Sequence, residues 1–243
     1  MKNYKLTIEY DGTNLHGWQV QPNGRTVQGD IESAFTEFSP EQKIVLIGSG
    51  RTDSGVHARG QIANIKLATK MLPDEIRKAL NSKLENDIWI SDCQIVDDDF
   101  HARFSAKERE YSYHITTQFS PITQRYEWWV KKDMDTDKLY KCAKIVIGDH
   151  DFTSFCKANA EVKHKRCIVF ISEWEITKTG FIYHIKANRF LQHMVRFLVG
   201  TMVEVARGRM TIEDFEQFIH GLHSTLSVFR SPANGLFLER IIY

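Results

Sequence analysis

Ile44-Val45-Leu46-Ile47-Gly48-Ser49-Gly50-Arg51-Thr52-Asp53-Ser54-Gly55-Val56-His57-Ala58 is an apolar run of strand length that opens into a loop holding glycines, an arginine and an aspartate. The alternating stretch Gln61-Ile62-Ala63-Asn64-Ile65-Lys66-Leu67 follows, so the loop reads as a connection between two strands. Glycine adopts backbone angles closed to other residues and lets the backbone of a ligand come close. Two readings stand side by side: a tight turn with a solvated Arg51–Asp53 pair, or a site built around a carboxylate.

The flanks supply the fold. Tyr4, Leu6, Ile8 and Tyr10 alternate with polar residues, the period of a half-buried strand, and Asp11-Gly12-Thr13-Asn14 ends it. Trp18, in an irregular glycine-bearing segment, reads either as a core plug or as a stacking surface for a base. Ile31, Ala34, Phe35 and Phe38 are spaced to bury one helix face, and Pro40 stops that helix. Residues 44–47 form the next expected strand and residues 61–67 the one after. Pro73-Asp74-Glu75 fronts a helix through Ile76, Leu80 and Leu84, with carboxylates where the helix dipole favours them. Asp87-Ile88-Trp89-Ile90 reads as a strand. Strand–helix–strand–strand–helix–strand is the order of a ferredoxin-like unit.

Beyond a soft boundary near residues 99–107, residues 109–115 alternate as a strand with Tyr111, Tyr113 and Ile115 on one face. Tyr126-Glu127-Trp128-Trp129 reads as a short edge segment, and residues 135–147 as a helix buried through Leu139, Ala143, Val146 and Ile147. Asp149-His150-Asp151-Phe152 resembles a metal cluster only superficially, since adjacent residues do not converge on one ion; a helix-ending turn is expected. Residues 167–176 and 181–187 suit a hairpin. A long helix is expected to open at Asn188, with His193 and Arg196 as helical neighbours and Gly200 closely packed. Thr211 caps a helix running to about His220. His220 and His223 lack the further ligand of a metal site. A final strand covers residues 236–243. The domain expectation is therefore 1–105 and 106–243.

The 243 residues suffice for one large or two smaller cores, and 42% hydrophobic with 26% charged residues describes an ordinary globular chain. Thirty-two basic and 31 acidic residues exclude a tail-like polybasic protein but leave room for a local basic groove. Cys93, Cys142, Cys156 and Cys167 form no C-x-x-C, as expected for reduced structural thiols in a cytoplasmic protein. No apolar signal segment precedes the first strand, and no run approaches the roughly 20 apolar residues of a membrane span; neither membrane attachment nor a metal is expected.

Asp53 offers a nucleophile or base, and His57 a general base or a structural histidine. The glycines make no G-x-G-x-x-G, and no G-K-[ST] follows. Arg25, Arg51, Arg59, Arg103, Arg109, Arg189 and Arg196, with Trp18, Tyr111 and Phe190 among them, suit a groove for structured RNA. The residues by themselves support a metal-independent enzyme on a phosphate-bearing substrate, with an RNA-binding module as the rival.

The stretch Gly50-Arg51-Thr52-Asp53-Ser54-Gly55-Val56-His57-Ala58 resembles the TruA family of tRNA pseudouridine synthases. Tyr10-Asp11-Gly12, Gly17-Trp18-Gln19 and Thr26-Val27-Gln28-Gly29 precede it in the family's order. Residues 100–106, Arg109-Glu110-Tyr111-Ser112-Tyr113, Asp151-Phe152-Thr153-Ser154-Phe155, Phe190-Leu191-Gln192-His193-Met194-Val195-Arg196 and Gly235-Leu236-Phe237-Leu238 follow it. Ser54 stands where alanine is common, and Glu85-Asn86 replaces a usual Leu-Pro, which puts only local loop geometry in question. The resemblance implies a cytoplasmic homodimer without cofactor or metal, isomerising uridine at positions 38, 39 and 40 of the tRNA anticodon stem-loop. It implies an α/β (α+β) fold of two ferredoxin-like subdomains joined through a mostly antiparallel sheet, with a central RNA-binding cleft. It assigns Asp53 as the catalytic carboxylate, Tyr111 as the tyrosine stacking on the base, and Arg196 as the arginine paired with Asp53. Arg51, Trp18, His57, Arg59, Arg103 and Leu236 are expected at the substrate, Arg51 in handling the extruded nucleotide and Leu236 as an apolar wall.

Overall fold

The computed structural model describes residues 1–157, 164–221 and 227–243. The chain divides into two compact units, Met1–Lys107 with Phe237–Tyr243, and Glu108–Leu236.

The first unit opens with strand β1 (Lys2–Tyr10), followed by helix α1 (Val27–Phe38), strands β2 (Ile47–Gly48) and β3 (His57–Leu67), helix α2 (Pro73–Asn81) and strand β4 (Ile88–Val96). β1 lies between β4 and β3, antiparallel to both, and β2 pairs antiparallel with the far side of β3. This is the strand order expected of a ferredoxin-like unit. Tyr4, Leu6, Ile8 and Tyr10 are all buried, as are Ile31 and Phe35 of α1 and Ile76 and Leu80 of α2. Each such Leu, Ile or Phe contributes about 1.5–3 kcal/mol by leaving water. α1 begins where the Thr26 hydroxyl accepts from Gly29 N (3.2 Å) and ends two residues before Pro40.

Two boundaries beside the loop differ from expectation. The strand expected over residues 44–47 contracts to Ile47–Gly48, because side chains occupy the backbone groups a ladder would use. Glu32 accepts from Leu46 N (2.9 Å), and Gln28 donates to Leu46 O (3.3 Å). Gln42 donates to Lys66 O (2.8 Å) and accepts from Ala68 N (3.0 Å). β3 begins at His57 rather than Gln61, so His57 and Ala58 belong to a strand and not to the loop.

The second unit contains β5 (Glu108–Thr116), β6 (Trp128–Trp129), α3 (Thr136–Val146), β7 (Gly148–Asp151), β8 (Arg166–Ile176), β9 (Gly180–Ala187), α4 (Met194–Ala206) and α5 (Ile212–Ile219). Its strands run in the order β5-β9-β8-β7, each antiparallel to the next, with β6 parallel to β5. Residues 149–151 are not the expected turn: Gly148 turns the chain at φ 117° and they continue as β7 against β8.

The helix expected from Asn188 starts only at Met194. Asn188 is tied to β8, its side chain accepting from Ile168 N (2.9 Å) and its amide donating to Ile168 O (3.0 Å). His193 then sits at φ 66°, a left-handed conformation that no helix continues through. Gly200 packs as closely as its sequence context suggested: a Cβ there would lie 2.3 Å from Phe229 O. Thr211 and Asp214 cap α5 reciprocally, Asp214 N donating to Thr211 Oγ1 (3.0 Å) and Thr211 N to Asp214 Oδ2 (2.9 Å).

The last strand, β10 (Leu236–Ile242), places Phe237 and Leu238 parallel to His57 and Ala58 of β3. Lys107 N donates to Ile242 O (2.8 Å), and Tyr243 Oη to Ala102 O (2.8 Å). Residues 237–243 thus lie in the first unit, whereas a boundary at 105/106 groups them with the second. Among the described residues no helix is long and apolar enough to cross a membrane.

Candidate active site

The loop between β2 and β3 is held from beneath by buried polar groups. Ser49 Oγ donates to Gln61 Oε1 (2.7 Å), Gln61 Nε2 donates to Gly50 O (3.1 Å), and Ser49 N donates to Ile62 O (2.8 Å). The Tyr10 and Thr52 hydroxyls bond to each other at 2.8 Å. Burial pushes the Tyr10 phenol up to about 12, against the lowering bonds to Thr52 and Gln61, so it stays neutral at ordinary pH.

The segment after β1 holds the other arm. Trp18 N donates to Thr52 O (3.1 Å), while Ser54 Oγ (3.2 Å) and Gly55 N (3.3 Å) both donate to Leu15 O. Val56 N closes the turn onto Asp53 O (3.2 Å), and Gly55 takes φ 78°. Gly17 permits this approach: a Cβ there would lie 2.6 Å from Thr52 O. Arg25 anchors the same segment, gripping Asp87 with two bonds of 2.9 Å and Asp30 with bonds of 3.0 and 2.7 Å. Asp53 is therefore a half-buried carboxylate on a backbone fixed on both sides. Such a group serves as nucleophile or base without having to be ordered during the reaction.

Arg51 is exposed and makes no ion pair among the described residues, so the Arg51–Asp53 pair suggested by their spacing is absent. Trp18 and His57, expected at the substrate, are 3% and 1% exposed. The Trp18 indole lies under Gly48, where a Cβ would come within 2.5 Å of the ring, which decides for the core plug. His57 stacks on Phe237 (ring centroids 4.7 Å apart), and its Nδ1 accepts from Gly12 N (3.0 Å). Asp11 Oδ1 lies 3.1 Å from the same nitrogen, which can accept from Gly12 only while bare. Both rings support the loop from behind. Arg59 is exposed, bonded to Glu239 (2.7 Å), with its guanidinium 4.6 Å from the Phe237 ring centroid. Arg103 is exposed, 5.8 Å from the ring of Phe104.

In the second unit, Tyr111 pairs with Ile185 across β5 and β9 and meets Phe190 edge-on at 5.1 Å. Arg196, in the first turn of α4, donates from Nε to Ser231 O (2.9 Å), and Ser231 N donates back to Arg196 O (3.0 Å). Tyr113 Oη bonds Pro232 O (2.8 Å), its acidity suppressed by burial. Leu236 is buried, its amide on Ala233 O (2.9 Å). Sequence reasoning missed Tyr10 and Gln61 as supports of the loop; the single signal is a glutamine on an otherwise apolar face of β3. Among the described residues no three His, Cys, Asp or Glu side chains group as metal ligands; His223 lies outside the described residues.

A family described as tRNA pseudouridine synthase matches residues 6–105 and 142–243. Proteins named tRNA pseudouridine synthase A are similar over their full length. That of Chlorobium limicola is 39% identical, with 100% of both chains covered, and that of Bacillus pumilus 37%, with 98% of each. That of Brachyspira hyodysenteriae is 40% identical, covering 100% of this chain and 99% of its own.

Proposed function

The chain belongs to the tRNA pseudouridine synthase family and isomerises uridine to pseudouridine in tRNA; within that chemistry we propose that the Asp53 carboxylate is the reacting group. The supporting observation is that one half-buried carboxylate stands on a loop whose Thr52 and Gly55 are each fastened to neighbouring backbone.

The reaction breaks N1–C1′, turns the uracil and joins C5 to C1′; C5 loses a proton and N1 gains one, so the change is neutral overall. Asp53 serves it by attack at C1′, by attack at C6, or by removing the 2′ proton to give a glycal. Tyr111 stacks on the base and limits its escape after cleavage, and its hydroxyl helps to remove the C5 proton. Arg196 keeps the carboxylate ionised, a preorganising effect. The uridine leaves its stem at a cost of a few kcal/mol. Arg51, with Arg59 and Arg103, offsets part of this through phosphates, and Leu236 supplies an apolar wall. The targets are positions 38, 39 and 40 of the anticodon stem-loop. The enzyme works in the cytoplasm as a homodimer, each chain organised as two ferredoxin-like subdomains.

Carbodiimide-dependent reverse-transcriptase stops on tRNA incubated with the protein test this reading. Wild type gives stops at the three positions, and Asp53→Asn removes them while tRNA binding persists. Stops unchanged in Asp53→Asn refute the role of the carboxylate. No stops with folded wild type would favour a pure RNA-binding protein. Single-turnover conversion by Tyr111→Phe at the wild-type rate excludes an essential hydroxyl. Sedimentation as a monomer at working concentration excludes the dimer.

A further inference from the structure

The three glycines of the loop answer to different demands. Gly48 has no room for a side chain, because a Cβ would lie 2.5 Å from the Trp18 ring. Gly55 holds φ 78°, a conformation side-chain-bearing residues rarely adopt. Gly50 meets neither condition: its φ is outside the left-handed region, and a Cβ built on it meets nothing within 4 Å. The other glycines whose surroundings are described each have a positive φ or a neighbour closer than 3 Å. A glycine that the fold does not require costs stability, since it adds freedom to the unfolded chain.

The backbone at Gly50 is nonetheless held firmly. Gln61, fully buried, spends one end of its amide on Gly50 O (3.1 Å) and the other on the hydroxyl of Ser49 (2.7 Å). The result is a stretch of bare, rigid main chain beside the exposed Arg51 and three residues before Asp53. We propose that Gly50 is a substrate-contact position, against whose Cα the sugar–phosphate backbone of the RNA strand packs directly. The missing side chain is the space that the strand occupies. This rests on the reading above, in which the Asp53 loop receives the uridine.

The test is Gly50→Ala and Gly50→Val in the full chain, with thermal melting and steady-state kinetics on a tRNA transcript. Gly50→Ala is expected to melt at or above the wild-type temperature while kcat/KM falls about tenfold or more, and Gly50→Val to fall further. Wild-type kcat/KM in either variant overturns the inference. So does a lowered melting temperature in Gly50→Ala, which makes the glycine a requirement of the fold. Pseudouridine formed by Asp53→Asn at the wild-type rate defeats the underlying reading; inactive Asp53→Asn with a fully active Gly50→Ala defeats this inference alone.

Discussion

The hydroxyl pair beneath the loop makes a sharp prediction. Tyr10→Phe removes one partner of the 2.8 Å bond and leaves Thr52 Oγ1 buried without it. An orphaned buried hydroxyl costs about 1–3 kcal/mol, and a chain of this size loses about 2–4 °C of melting temperature per kcal/mol. Thr52→Val leaves the Tyr10 hydroxyl its bond to Gln61 and costs less. The double variant has no orphan, so it is less destabilised than the sum of the two by about 1 kcal/mol or more. Because Thr52 adjoins Asp53, a shift near 1 Å is expected to lower the single-turnover rate about 100-fold while tRNA affinity changes little.

Alkaline pH gives an independent reading. The folded phenol is raised from 10 to about 12, so burial of the neutral tyrosine contributes its full stability below pH 10. That contribution is lost as pH rises from 10 through 12, and amounts to about 2–3 kcal/mol. Tyr10→Phe flattens this part of the stability–pH curve, leaving the share due to buried Tyr113 and Tyr183, both also raised. Urea melts of the four proteins, with rates on one tRNA, decide the matter. Additive single-variant losses together with a wild-type rate in Tyr10→Phe refute the reasoning.

Gly200→Ala drives a methyl group into Phe229 O and Ser231 N and is expected to cost about 1–3 kcal/mol. Because Ser231 O receives Arg196 Nε, turnover drops too, and a melt with wild-type kinetics tells against that coupling. Trp18→Ala empties a core position and loses about 3–5 kcal/mol; an unchanged melting temperature with weakened tRNA binding would return Trp18 to the substrate. Burial raises the Cys93 and Cys142 thiols to about 12 and the Cys167 thiol to about 11. Iodoacetamide at pH 8 therefore leaves these three thiols unlabelled in the native protein and labels all four cysteines in denaturant, read by mass spectrometry.

What the sequence reveals is what depends on near neighbours. The alternation of Tyr4, Leu6, Ile8 and Tyr10, and the caps at Thr26 and Thr211, act within a few residues and were legible. Residues 44–47 look like a strand, but the groups that satisfy Leu46 come from Gln28 and Glu32, in a helix far back along the chain. The spacing of Phe190, Met194 and Phe197 suits a helix from Asn188, yet a tether to β8 and one left-handed residue delay it. In the candidate site, Asp53 stands out in the sequence because a carboxylate among glycines is conspicuous. Tyr10 is an unremarkable member of its strand until the loop folds over it, and Gln61 shows only as a glutamine on an apolar face. Trp18 has two meanings in sequence because what decides between them, Gly48 against the indole, lies thirty positions away.

Strand β10 also gives the protein a schedule. The bond between Arg59 and Glu239 spans 180 residues. At about 5–20 residues per second, roughly 10–40 s of synthesis separate its two ends. Throughout that interval β3 has its β1 partner, but His57 lacks the ring of Phe237 and the strand's opening residues have no neighbour on that flank. The Asp53 loop emerges early and is buttressed late, so a ribosome-bound chain carries it at the head of a strand still open at one edge.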